Sequence, residues 1–196
     1  TNGGSGYFDG SGDYLTFNCG TQFNFAGDFT VEGWVYQSTS GSRAVLLDTR
    51  SGANYSNCLF SVNTSGQLDF IAYSGGNIRL TSTAAIQTAA WNHVAFVRSG
   101  STVTGYINGT SVVSGTVSGT LTVASTTAWV GSVVDPAYGL GYLTDVRILN
   151  GTALYTAAFT PPTAPLTAIT NTKLLLNFTN GGIVDATAKN DLETVG

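Results

Sequence analysis

The chain has 196 residues, of which 42% are hydrophobic and only 9% charged, and seven Lys and Arg against eleven Asp and Glu leave a net charge of −4. So few cations cannot neutralise a run of phosphates, which argues against nucleic acid or an anionic membrane surface as a partner, and no apolar run reaches the roughly 18 residues of a membrane span. The hydrophobic content is that of a folded chain, and its polar coat has to be built from Thr, Ser, Asn and Gly.

The opening Thr1-Asn2-Gly3-Gly4-Ser5-Gly6 is no signal peptide, and the chain holds no methionine, so it is expected to be a processed product or a piece of something longer. Period-two patterning then predicts strands over 6–9, 13–17, 29–37, 43–49, 58–63, 67–73, 78–81, 93–98, 103–108, 128–131, 143–149, 173–178 and 191–195. In the third of these, Phe29, Val31 and Val35 share one face while Thr30, Glu32 and Trp34 take the other. Residues 93–97 are apolar on both faces and read as a central strand. No helical period extends beyond one turn near 152–157.

The turn residues agree with this reading. Asn108-Gly109 joins 103–107 to 110–113 and predicts a hairpin with a type I′ turn, which needs φ > 0 at both central residues. Ser65-Gly66 and Gly75-Gly76 mark two more tight connections. Pro161-Pro162 and Pro165 predict an extended, non-strand segment leading to the last strands. More than ten short strands at regular spacing predict an all-β fold of two packed antiparallel sheets, a sandwich or jelly roll. Residues 1–196 are expected to form one domain, with 160–196 as its proline-rich connection and closing strands. The string Thr1-Asn2-Gly3-Gly4 recurs as Thr179-Asn180-Gly181-Gly182, a match short enough to arise by chance among such common residues.

Cys19 and Cys58 leave two alternatives open, a disulfide formed in an oxidising setting or two buried thiols acting as small hydrophobes. No Cys/His cluster suggests zinc.

Several segments are similar to a known family. Tyr7-Phe8-Asp9-Gly10-Ser11-Gly12-Asp13-Tyr14-Leu15, Phe29-Thr30-Val31-Glu32-Gly33-Trp34-Val35, Trp91-Asn92-His93-Val94-Ala95-Phe96-Val97-Arg98 and Gly141-Tyr142-Leu143-Thr144-Asp145-Val146-Arg147-Ile148 resemble, in this order, blocks of laminin G-like modules of the concanavalin A-like lectin/glucanase superfamily. Tyr106-Ile107-Asn108-Gly109 follows the third block as in that family. Ala153-Leu154-Tyr155-Thr156-Ala157-Ala158-Phe159-Thr160-Pro161-Pro162 and Leu174-Leu175-Leu176-Asn177-Phe178, with Asp185 and Asn190, resemble segments of such modules in bacteriophage tail fibres and other virion structural proteins. Leu154 stands where a basic residue is usual. The resemblance implies a concanavalin A-like jelly roll but no single function, since lectins, glucanases and purely structural modules share the fold.

Glucanases of that superfamily carry three carboxylates in a Glu-x-Asp-x-Glu strand, whereas this chain has only Glu32 and Glu193, neither in such a motif. Asp28 and Glu32 fall on one face but about 13 Å apart along a strand. His93, the only histidine, reads as a structural residue bonding a neighbouring backbone group. No catalytic residue is therefore expected. The resemblance also implies one structural calcium ion, with Asp145 as its first candidate ligand and Asp9 and Asp13, in or beside turns, as the others. Sugar binding needs rings beside planar polar groups, and Tyr55, Tyr73, Asn77, Asp135 and Tyr138 supply both near turns or strand ends. The alternative reading puts Trp34, Trp91 and most Phe residues in the core, with the loop tyrosines merely covering its rim.

The function expected on these grounds is glycan recognition or adhesion, against a host-surface receptor or an environmental glycan, by a module at a virion surface or in an extracellular setting. The second reading is a structural module that packs against neighbouring copies or domains of such an assembly, and a glycoside hydrolase is a distant third.

Overall fold

The structure is a computed structural model, and it describes residues 4–52, 57–123, 125–134, 137–179 and 182–196. Among these the elements run β1 (Gly6–Asp9), β2 (Tyr14–Asn18), a 3-10 turn (Thr21–Phe23), β3 (Phe29–Tyr36), β4 (Ala44–Asp48), β5 (Leu59–Val62), β6 (Gln67–Tyr73), β7 (Asn77–Ala85), β8 (Trp91–Ser99), β9 (Thr102–Ile107), β10 (Thr110–Thr116), β11 (Thr127–Val130), β12 (Leu140–Asn150), β13 (Thr172–Leu176) and β14 (Leu192–Val195). They form two antiparallel sheets. The first has the order β1-β12-β3-β8-β9-β10, with β13 pairing with the part of the β12 edge that β1 leaves open. The second has the order β14-β2-β11-β4-β5-β6-β7.

Alternation dictates what lies between the sheets. Phe29, Val31 and Val35 on β3, Phe60 on β5, Phe70 on β6 and Phe96 on β8 all point inward and are almost wholly buried. Phe60 is the hub of this core. Its ring lies 5.5 Å from that of Phe29, 5.2 Å from Phe70 and 5.6 Å from Phe96 in edge and tilted arrangements, the geometry that ring quadrupoles favour.

One residue breaks the alternation. On β12, Leu143 faces the core, and strict period two would then send Val146 and Ile148 outward. The pairing of β12 with β3 shifts between Thr144 and Arg147, and Asp145 takes φ +51°. An extra residue of this kind is a β-bulge, and Asp is among the few side chains that tolerate the left-handed region. The bulge returns Val146 and Ile148 to the core and turns Arg147 outward, opposite Glu32.

The outward face of the first sheet is partly roofed by residues 151–166, which run over it as a strap without regular structure. The helical turn expected near 152–157 does not form. The Thr30 hydroxyl accepts the Leu154 N–H at 2.9 Å and donates to the Thr152 carbonyl at 2.9 Å, so strand β3 takes over groups a helix would have paired. Tyr155 and Phe159 stack on each other at 3.6 Å and pack with Ala95, Val97 and Tyr106.

The hairpin predicted at Asn108-Gly109 forms, with φ +49° and +78° at the two residues. Further along, the carboxylate of Asp185 accepts the N–H groups of Leu175, Thr187, Lys189 and Asn190, fixing the turn before β14. Cys19 and Cys58 are free thiols, both buried, and burial pushes the Cys19 thiol up to about 12.

Gly109 is also where the strap meets the hairpin. A Cβ there would come within 1.7 Å of the Phe159 carbonyl oxygen, whereas one at Gly76 would meet nothing within 4 Å. Gly109→Ala is expected to destabilise the protein by about 2 kcal/mol or more, and Gly76→Ala by clearly less. Urea melts of the two variants check this, and equal losses would contradict the contact.

Candidate functional site

The residues expected to bind a ligand do not converge. Tyr55 and Asp135 lie outside the described residues. Tyr73 and Asn77 face each other across the turn joining β6 to β7, both exposed. Tyr138 is half-buried and stacks on Tyr14 of β2 at 6.2 Å. β2 is separated from β6 by β11, β4 and β5, so these two groups stand toward opposite edges of the second sheet.

The three carboxylates considered for calcium are also divided. Asp9 and Asp13 share a turn, where Asp13 Oδ2 accepts the Asp9 N–H at 3.0 Å and Asp9 Oδ1 accepts the Ser11 N–H at 2.6 Å. Asp145 is fully buried at the β12 bulge, and its Oδ1 accepts the Leu166 N–H at 3.2 Å and the Asn177 side-chain amide. Among the described residues no three His, Cys, Asp or Glu side chains come together as a metal site. A hard cation that prefers six to eight oxygens therefore does not find Asp9, Asp13 and Asp145 in one coordination sphere.

What the fold does assemble is a row of rings on the outward face of the first sheet. Tyr7 of β1 pairs opposite Tyr142 of β12, Tyr142 opposite Tyr36 of β3, and Tyr36 opposite Trp91 of β8. Successive ring centroids are 4.9, 5.9 and 5.7 Å apart. Tyr7, Trp91 and Tyr142 are 54%, 42% and 38% exposed. One step along the strands lies the next outward pair, Thr144 opposite Trp34. Between it and the strap runs a groove of about 690 Å³, lined by Trp34, Trp91, Thr144 and Ser5 with Pro161 and Pro162 of the strap. That volume falls within the roughly 300–1,000 Å³ of small-molecule sites. The indole N–H of Trp34 is buried without a hydrogen-bond partner among the described residues.

Beneath the strap, next to the groove, sits a buried ionic cluster. Glu32 Oε1 accepts from Arg147 Nε at 2.9 Å and Nη2 at 2.6 Å, and Oε2 accepts from the Tyr155 hydroxyl at 2.8 Å. His93 Nε2 lies 3.1 Å from Oε2. A carboxylate can only accept, so Nε2 carries the proton there. His93 is thus structural, but its partner is a carboxylate rather than the backbone group expected from the sequence. Burial is the largest single influence on the Glu32 carboxyl and pushes its pKa up. The His93 hydrogen bond and the Arg147 charge, with their weaker counterparts, outweigh it and hold the pKa below the ordinary 4.5. Both Glu32 oxygens are engaged, and Glu193 stands exposed on β14 of the other sheet, so the two glutamates do not form a hydrolytic pair.

The outward rings are not among the residues that the sequence singles out for binding, and the two tryptophans that its alternative reading puts in the core are not in it. Trp91 is exposed and Trp34 half-buried. The signal was present in the alternation. Glu32, Trp34 and Tyr36 share one parity, opposite to that of the core residues Val31 and Val35. Tyr7 and Tyr142 flank the core residues Phe8 and Leu143 in the same way.

The family model described as the concanavalin A-like lectin/glucanases superfamily matches residues 9–157. No curated protein matches the sequence. Among solved structures, a protein from Bacteroides ovatus described as a candidate carbohydrate binding protein superposes with a TM-score of 0.73 at 15% identity, over 98% of this chain and 58% of that one. Domains LG4-5 of the mouse laminin α1 chain give 0.59 at 17% identity, over 84% and 47%. A heptameric SAP-like pentraxin from Limulus polyphemus gives 0.55 at 13%, over 97% and 93%. At such identities the likeness is one of fold, and the chain spans little more than half the length of the first structure and less than half of the second.

Removing one partner of a buried ion pair strands the other, so Glu32→Gln is expected to destabilise the protein by about 3 kcal/mol at pH 7. Because the folded-state pKa is lowered, the carboxylate stabilises fully above pH 4.5 and loses that effect as the pH falls through the folded value. In urea melts the gap between the parent and Glu32→Gln should narrow below pH 4.5. A gap that stays constant or widens toward acid would contradict this assignment.

Proposed function

The chain belongs to the concanavalin A-like lectin/glucanases superfamily, and from that premise we propose that it is a non-catalytic module that holds glycans on the outward face of its first sheet. The observation that carries the reading is the row Tyr7, Tyr142, Tyr36 and Trp91, four rings side by side on four neighbouring strands, three of them open to solvent. Apolar faces of sugar rings stack on such surfaces, while the hydroxyls around them find Thr and Ser side chains and backbone groups. A carbohydrate-binding description of one similar structure supports the reading. So does the engagement of both Glu32 oxygens, which leaves that carboxylate unfit for bond cleavage.

The setting proposed is a virion or other extracellular surface, on the strength of the uncharged Thr- and Ser-rich coat and the resemblance of 153–162 to phage fibre segments. Single-site affinity there is weak and is raised by multivalent display. A second reading, assembly with neighbouring copies or domains, has one observation in its favour. A crevice of about 530 Å³ opens where β1 lies near β14, and exposed Ile183 and Val195 line it beside Tyr7.

Displayed at high valency on a glycan array, the protein is expected to give a signal that falls about tenfold in Tyr142→Ala. Light scattering of the same preparation reads the assembly alternative. A blank array together with a discrete oligomer would replace the glycan reading by the assembly one.

A further inference from the structure

The groove beside the ring row narrows what kind of glycan it suits, and the inference rests on the glycan reading above. Three features of the groove act together. Its walls are apolar: Trp34 and Trp91 on the sheet side, Pro161 and Pro162 on the strap. Among the described residues that line it, none is ionisable, and its polar groups are the hydroxyls of Ser5, Thr144, Thr160 and Thr163. Beside it the indole N–H of Trp34 is buried without a partner among the described residues, a donor whose desolvation none of them offsets.

A ligand suited to this site presents an apolar face to the rings, carries hydroxyls to its edge and brings no charge. A carboxylate, sulfate or sialic acid entering the groove would lose water and gain no cation, a large penalty. The ionic groups nearest the groove cannot help. Arg147 is bound to Glu32, and His93, whose ring stands 5.3 Å from that of Trp34, has its Nε2 on the same carboxylate. We propose that the groove between the ring row and the strap seats an uncharged pyranose residue, with its apolar face against Trp34 and Trp91, and that a small shift of the indole uncovers Trp34 Nε1 to donate to one of its hydroxyl oxygens. The rest of a longer neutral oligosaccharide then continues over Tyr36 and Tyr142.

The strap gives this site its closed side. Thr160 to Thr163 follow directly on Phe159, which is fixed by its stack on Tyr155 and by the hydrogen bond from its N–H to the Gly109 carbonyl. The wall is therefore present before a ligand arrives, and its ordering is not charged against binding.

The test titrates the parent protein with neutral trisaccharides (maltotriose, cellotriose, mannotriose) and with acidic ones (sialyllactose, trigalacturonate), read by calorimetry and tryptophan fluorescence. At least one neutral sugar is expected to bind and to perturb tryptophan emission, with the acidic sugars bound about tenfold more weakly or not at all. Trp91→Ala should weaken neutral-sugar binding about tenfold, and Trp34→Phe, which keeps a ring and deletes the N–H, about fivefold. Trp91 is surface-exposed, so its variant stays folded, and Tyr73→Ala on the other sheet should bind like the parent. Acidic sugars bound as well as neutral ones would overturn the inference. So would neutral-sugar binding that survives both tryptophan substitutions, an outcome that leaves glycan recognition standing at another surface. Failure of every sugar, here and on the array, would remove the glycan reading and this inference together.

Discussion

The Glu32 carboxylate is the point through which the outward side of the first sheet is organised. Four donors converge on it from three other elements: Arg147 of β12 twice, His93 of β8 and Tyr155 of the strap. Burying a carboxylate and a guanidinium costs several kcal/mol per ion, and replacing such a pair with well-packed apolar groups is often neutral or better. The pair is therefore poor evidence of extra stability. Its effect is positional. The Tyr155 hydroxyl donates to Glu32 Oε2 beside His93, which holds its ring where it stacks on Phe159, and two and three residues after Phe159 come the prolines that wall the groove.

The bulge at Asp145 makes this arrangement reachable. Without an extra residue, Arg147 would point into the hydrocarbon core and Val146 toward solvent. With it, β12 delivers Tyr142 and Thr144 outward before the bulge and Arg147 outward after it, while Leu143, Val146 and Ile148 stay inside. The left-handed backbone of Asp145 is stabilised by what its side chain holds. Oδ1 receives the Leu166 N–H, where the strap leaves the sheet, and the Asn177 amide just beyond β13. Asp145, which the resemblance puts first among the calcium ligands, thus ties the end of the strap and the residue after β13 to one strand.

How much of this was legible depends on the range of the interaction concerned. Strand positions came through because burial of one face imposes period two on local sequence: 6–9 and 67–73 coincide with β1 and β6, and the Asn108-Gly109 turn has both positive φ values. The two-sheet architecture follows from the number and spacing of such strands. The partner of Glu32 did not come through, because Arg147 lies 115 residues away and reaches it only through a bulge that shifts the parity. For the same reason the sequence places Thr30, Glu32 and Trp34 on the face opposite Val31 and Val35 without showing what covers it, since the strap that covers the first two lies more than 100 residues later. The ring row was hidden differently. Each of its members sits in an ordinary strand, and only the sheet order β1-β12-β3-β8, which local pattern does not encode, sets them side by side.

That order also explains why the exposed rings are unlike ordinary surface aromatics. Isolated apolar residues on a surface need no explanation, but a contiguous patch does. Tyr7, Tyr142 and Trp91 occupy positions where Thr or Ser, the residues this chain uses elsewhere on its surface, would satisfy strand propensity and solubility equally well. On the opposite half of the same face, the sheet's apolar outward residues Ala95, Val97 and Tyr106 are covered by Ala153, Tyr155 and Phe159. The strap thus buries one half and stops at the edge of the other, so the same sheet face carries both a closed cluster and an open one. Extending the cover over the row would need only a few more residues of a kind the strap already contains. An apolar half-face that the described residues leave open, next to a wall already in place, is the arrangement that the proposed glycan reading requires.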